Sequence, residues 1–166
     1  IKLIEGDVLD IGHKSVDVTV AFNFSYFLFR ERASLLNYLT RAYSTLNSEG
    51  ALILDAYGGA DAQRTSEETR EVDDDFDYVW DQHRFDPIHH HVTNFIHFEF
   101  SDGSRMKRAF HYDWRLWSIP EIRELLQEAG FYASEVYWEG TDRKTGEGND
   151  IFSRREQAPD DPAWIC

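Results

Sequence analysis

The dipeptide Asp7-Val8 follows a short apolar stretch and a glycine in IKLIEGDVLD, residues 1–10. A carboxylate there can accept a hydrogen bond from an exocyclic amine, while the Val8 backbone N–H donates to a neighbouring ring nitrogen. That pair matches one edge of adenine. An Asp after Gly also commonly caps its own turn, and the two residues leave both roles open. Two clusters of aromatic and charged residues offer a second recognition surface: Tyr78-Val79-Trp80-Asp81-Gln82-His83-Arg84 and Phe110-His111-Tyr112-Asp113-Trp114-Arg115-Leu116-Trp117. In an extended chain Phe110, Tyr112 and Trp114 share one face, with His111 and Asp113 on the other. Tyr78, Trp80, His83, Arg84 and Tyr112 suit a small-molecule pocket and simple packing equally well, whereas Trp114 and Trp117 are expected to pack.

Six histidines, His83, His89, His90, His91, His97 and His111, fall in the same region. Neutral imidazoles are ligands for Zn, Fe or Ni. A site needs convergence, however, and on a strand only His89 and His91 share a face, with no HExxH spacing anywhere. No metal is expected. A histidine acting as general base fits better, because its pKa lies near neutrality.

The elements that position these residues alternate. Apolar residues at 1–5 read as a short buried strand ended by Gly6-Asp7. VDVTVAF at 16–22 is β-branched and apolar enough for a strand buried on both faces. Residues 32–46 predict a helix with Leu35, Leu36, Leu39, Ala42, Tyr43 and Leu46 on one stripe, stopped by Asn47-Ser48-Glu49-Gly50 with Gly50 in the left-handed conformation. ALILDAY at 51–57 is the next buried strand, ended by Gly58-Gly59. A second helix begins at Ser118, which stands in capping-box spacing with Glu121. Its stripe is Ile119, Ile122, Leu125, Leu126 and Ala129, Gly130 closes it, and FYASEVYW at 131–138 reads as a further strand. Residues 58–75 are polar and acidic, with a run at Asp73-Asp74-Asp75, and predict a loop or irregular helix. Beyond them 76–85, 92–100 and 105–114 read as three strands without intervening helices, the last two joined at Asp102-Gly103. The order predicts an α/β fold with a largely parallel sheet and an antiparallel β unit inserted into it. One domain fills residues 1–166: core strands and a helix over 1–59, the insert over 60–117, the last helix and closing strands over 118–166.

Composition narrows the function classes. The net charge of −14 argues against nucleic acid as a partner, since phosphate binding needs a basic face. No stretch is long and apolar enough to span a bilayer, and no signal pattern occurs at the start. The single Cys166 can form no intrachain disulfide, which fits a reducing, cytoplasmic compartment. Aromatic residues are plentiful at 15%, enough to line a pocket as well as a core.

Four blocks in this order resemble the later part of a class I S-adenosylmethionine-dependent methyltransferase: Gly6-Asp7-Val8-Leu9-Asp10, VDVTVAFNFSYFLF at 16–29, LNSEGALILDAYGG at 46–59 and SIPEIRELLQEAGFYASEVYWEG at 118–140. The resemblance implies a Rossmann-like sheet, incomplete at its N-terminus, because the Gly-rich turn of the family's first strand does not occur here. The chain would start at the third strand, and PAWIC reads like a final strand cut short. It implies S-adenosylmethionine as cofactor, with Asp7 and Val8 on its adenine and Asn23 beside the methyl donor. Phe22, Phe24, Tyr26 and Phe27 would give a dry aromatic wall that favours a sulfonium cation, although Phe27 is expected to fill the core. Tyr26, Tyr78, Trp80, His83, Arg84 and Tyr112 would face a small-molecule acceptor. No Asp/Asn-Pro-Pro-aromatic sequence follows the 16–22 strand, which points away from methylation of adenine or glutamine amide nitrogen. The implied activity is methyl transfer to a small molecule, which the fragment alone would not carry out. Two other readings stand beside it: a non-catalytic module in which the insert makes a homodimer, and the latter half of a nicotinamide-dependent dehydrogenase.

Overall fold

A pair of parallel strands forms the centre of the computed structural model, which describes residues 1–10, 15–72, 75–142, 144–146 and 148–166. β1 (Val16–Ala21) pairs with β2 (Leu46–Leu54), Val18 opposite Ala51 and Ala21 opposite Leu54, and helix α1 (Arg32–Ser44) makes the crossover. This is the strand–helix–strand unit that VDVTVA and the following stripe predict. α1 buries Leu35, Tyr38 and Leu39. Helix α2 (Ile119–Ala129) packs beside it and buries Ile122, Leu125 and Ala129. Its capping box is complete: Ser118 accepts the Glu121 N–H, and the Glu121 carboxylate accepts the Ser118 N–H at 2.9 Å. Gly130 ends it at φ 113°, and a Cβ there would lie 3.0 Å from the Tyr43 ring, so only glycine fits.

The inserted unit is a four-stranded antiparallel sheet in the order β4 (Ser66–Glu71), β5 (Phe76–Asp86), β6 (His91–Phe100), β7 (Arg105–Arg115). The hairpin between β6 and β7 turns at Gly103, φ 82°, as Asp-Gly predicts. β4 is the extra strand. Its residues SEETRE are polar and mostly exposed, so no apolar alternation marks them, and the backbone ladder from Ser66–Gln82 to Glu71–Asp77 alone makes the strand. Two residues of the acidic run, 73 and 74, lie outside the described residues.

Several expectations need correction. Residues 1–5 are exposed and form no strand, because a strand exists through its ladder and none of the described residues pairs with them. Gly50 does not end a helix. α1 stops at Thr45 in right-handed conformation, and Gly50 lies within β2 at an irregularity in the pairing, between Leu46 opposite Val16 and Ala51 opposite Val18, where a Cβ would stand 3.0 Å from the Asn47 carbonyl. FYASEVYW becomes extended only at β8 (Val136–Thr141), which pairs antiparallel with β9 (Gly148–Arg155) rather than with the parallel pair. β1 buries one face only: Val18, Val20 and Phe22 are about half exposed, while Ala21 is buried. At the end of the chain β10 (Trp164–Ile165) pairs with β3 (Tyr57–Gly58), and the Trp164 ring packs on Gly58. Among the described residues no helix is long and apolar enough to cross a membrane.

Candidate functional site

Ligands in open α/β sheets bind at the carboxyl ends of parallel strands. Here those ends are Phe22-Asn23-Phe24 after β1 and Asp55-Ala56 after β2. Asn23 and Phe24 are both left-handed, at φ 59° and 54°. Such a conformation is costly for residues other than glycine, about 1–3 kcal/mol each, and persists only when its surroundings impose it. The imposing group is Asp55. One of its carboxylate oxygens accepts the Asn23 N–H at 2.6 Å and the other accepts the Phe24 N–H at 2.8 Å. A short 3-10 turn, Ser25–Leu28, follows and carries Tyr26 and Phe27 into the core.

The insert closes over this turn. Trp114 of β7 lies 6.3 Å from Phe24 and 6.3 Å from Tyr57 between ring centroids, and Phe24 and Tyr57 are 4.6 Å apart. On the same face of the sheet Tyr112 stands 4.6 Å from Trp114, and Trp80 stands 6.1 Å from Tyr112. Asn94, fully buried, donates to the Tyr57 hydroxyl at 3.3 Å. Burial pushes the Tyr57 hydroxyl up to about 12, so it stays protonated. The junction is continued by Arg115, which stacks on Trp117 at 3.7 Å and pairs with Glu121 at 2.8 Å, tying the sheet to the start of α2.

The anticipated site residues are therefore only partly gathered. Phe22 and Asn23 are exposed at the edge of β1, and Trp80 and Tyr112 reach the same junction through Trp114. Tyr78 lies on that face too, farther along the sheet against Phe98. Tyr26 is 1% exposed, and its hydroxyl finds no hydrogen-bond partner among the described residues. Burial, and after it the nearby Cys166 and Asp55, raise its pKa. Asp7 caps its own turn, its Oδ1 accepting the Leu9 N–H at 2.8 Å, and the turn Val8–Asp10 packs against α1. His83 is on the opposite face of the insert, 5.1 Å from Phe95, and Arg84 is exposed. Asp55 and Tyr57 were not among the anticipated residues. The readable signal was an acid placed directly after the apolar run ALIL.

That opposite face holds a cluster of Glu67, Asp81 and His97 whose ligand atoms lie within 4.8 Å of one another. The hydrogen bonds of His97 argue against metal. Its Nδ1 accepts the Arg108 N–H at 2.7 Å, so the proton of the neutral ring sits on Nε2, facing Asp81 at 3.2 Å. Metal ligands usually present a bare nitrogen inward and donate from the other. Two open grooves lie elsewhere as well. One, of about 460 Å³, lies along α2 between Arg123 and Tyr132, and another, of about 540 Å³, lies between Glu71, Asp77 and Glu99. At the strand edge the rings of Phe24, Tyr57 and Trp114 occupy the space instead.

No protein-family model matches the chain, and no curated protein matches it. Its fold is nevertheless shared. A S-adenosylmethionine-dependent methyltransferase from Clostridium acetobutylicum superposes with a TM-score of 0.64 at 15% identity, over 96% of this chain and 61% of that one. SAM-bound CalS10, an amino pentose methyltransferase from Micromonospora echinaspora, gives 0.60 at 13% identity over 96% and 61%. The CcbJ methyltransferase from Streptomyces caelestis gives 0.61 at 17% identity over 75% and 51%. The architecture is the Rossmann-like one of these methyltransferases, and the chain spans between half and about three-fifths of their length.

Proposed function

We propose that this chain is part of a S-adenosylmethionine-dependent methyltransferase that acts on a small-molecule acceptor. The observation that carries the proposal is the clamped Asn23-Phe24 turn at the carboxyl ends of β1 and β2, roofed by the aromatic face of the insert. The chemistry of the edge suits a cationic ligand. Residues 21–29 and 51–63 contain no Lys, Arg or His, and offer backbone carbonyls, carboxylates and ring faces. When bound, the cofactor supplies an activated methyl group for in-line displacement. Asp7 and the Val8 N–H would bind its adenine, and Phe22 and Asn23 would flank its sulfur. Trp80, Tyr112 and Tyr78 would then orient the acceptor and exclude water. Their contribution is positional, because methyl transfer depends mainly on holding nucleophile and methyl group in line at near-attack distance. A base is needed only for a protonated acceptor, and His83 stands on the other face of the insert from Trp80 and Tyr112.

Calorimetric titration of S-adenosylhomocysteine into the full-length protein tests the reading, followed by assay of methyl transfer to amino and hydroxyl acceptors. Saturable one-to-one binding is expected, and no binding would overturn it. One observation favours the second reading, a non-catalytic module: the rings of Phe24, Tyr57 and Trp114 pack against one another at the strand edge. In that case the full-length protein binds no cofactor and sediments as a dimer held by the insert.

A further inference from the structure

The contacts of Asp55 are unusual for an acid at a sheet edge. Among the described residues no Lys, Arg or His pairs with it. Both carboxylate oxygens instead go to consecutive backbone N–H groups on the neighbouring strand's exit, at 2.6 and 2.8 Å. Its neighbours Tyr26 and Cys166 keep their protons, because burial, with the nearby charge of Asp55 adding to it, raises both pKa values. The two N–H groups belong to the two left-handed residues, Asn23 and Phe24. Without an acceptor of two hydrogen bonds at this spot, both residues would relax toward ordinary backbone conformations. Relaxation would swing the Asn23 side chain and the Phe24 ring, which sits 4.6 Å from Tyr57 and 6.3 Å from Trp114. The clamp therefore sets the geometry between the exit of β1 and the aromatic roof.

We propose that Asp55 is a positioning residue: its carboxylate holds the strained Asn23-Phe24 turn so that the edge of β1 presents a fixed surface to the reacting groups. The role rests on the methyltransferase reading above. Asp55 touches neither cofactor nor acceptor, and acts through Asn23 and Phe24. Loss of the clamp should thus affect turnover more than affinity, because misplacement by about 1 Å costs up to about a hundredfold in rate.

The test uses Asp55→Asn, which keeps the shape but replaces one acceptor oxygen by a donor, and Asp55→Glu, which keeps the charge and displaces it by a methylene. Three quantities are read in the full-length protein. Amide hydrogen exchange at Asn23 and Phe24 should accelerate about tenfold or more in Asp55→Asn while α1 and α2 keep their protection. Binding of S-adenosylhomocysteine should stay within about threefold of wild type. The turnover number should fall at least about tenfold in both variants, with the acceptor KM little changed. Unchanged exchange at Asn23 and Phe24 overturns the clamp. Accelerated exchange with unchanged turnover overturns the positioning role while leaving the methyltransferase reading intact. A parallel loss of affinity, turnover and thermal midpoint would mean a merely structural acid. Wild-type protein that binds no S-adenosylhomocysteine removes the reading itself, and the role with it.

Discussion

Replacing Trp114 by alanine should remove the contact that joins the parallel core to the insert. Trp114 is 7% exposed, and its ring meets Phe24, Phe27, Tyr57, Trp80 and Tyr112 at centroid distances between 4.6 and 6.3 Å. A tryptophan buries roughly 200 Å². At about 25 cal/mol per Å² that is about 5 kcal/mol of transfer free energy, an upper figure because a denatured chain is already partly compact. Substitution of a buried tryptophan by alanine typically costs about 3–5 kcal/mol. That is a large share of the roughly 5–15 kcal/mol that holds a domain together. Trp114→Phe keeps a ring at the junction and should cost less than half as much. Urea unfolding followed by far-ultraviolet circular dichroism measures both, with tryptophan emission avoided because the probe itself is changed. A loss below about 1 kcal/mol in Trp114→Ala, at unchanged slope, would refute the idea that this ring couples the two units.

Asp7→Ala should weaken S-adenosylmethionine binding by the full-length protein about five- to thirtyfold, the value of one hydrogen bond, with little change in thermal midpoint. Equal affinities in a calorimetric titration would leave Asp7 as a turn cap only. Burial pushes the Glu121 carboxyl up, but the Ser118 N–H and hydroxyl and Arg115 outweigh it and hold the carboxyl below its usual value. Its folded pKa is depressed, so its stabilisation is complete above the ordinary glutamate value and is lost as pH falls through the folded one. Thermal midpoints of wild type and Glu121→Gln should therefore differ above the ordinary glutamate value of about 4.3 and draw together as pH falls through the depressed folded one. Burial pushes the Cys166 thiol up to about 11. Iodoacetamide at about pH 8 should thus modify it at least about tenfold more slowly in native protein than in urea, and equal rates would contradict its burial.

Much of the frame was legible because it rests on local chemistry. The β-branched run at β1, the Ser118/Glu121 capping box, Gly130 and the Asp102-Gly103 turn each depend on neighbours in sequence, and each stands where those neighbours put it. What failed depends on pairing across the chain. β4 is polar and announces nothing by itself, and Gly50 falls in an irregularity of β2 that the ladder with β1 leaves between Leu46 and Ala51. Residues 1–5 have the composition of a strand and find no ladder among the described residues. The candidate site divides in the same way. Asn23 at the exit of a β-branched strand could be read from position, whereas its conformation depends on Asp55, more than thirty residues away. His83 and Tyr112 read as one surface in sequence, and a bulge near His83 together with the pleat sets them on opposite faces.

The most direct test of the account is a crystal structure of the full-length protein with S-adenosylhomocysteine. Adenine is expected against Asp7 and the Val8 N–H, the sulfur beside Phe22 and Asn23, and the Asp55 clamp unchanged. A cofactor seated elsewhere, such as the groove along α2, or one bound at the strand edge without contact to Asn23, would contradict it.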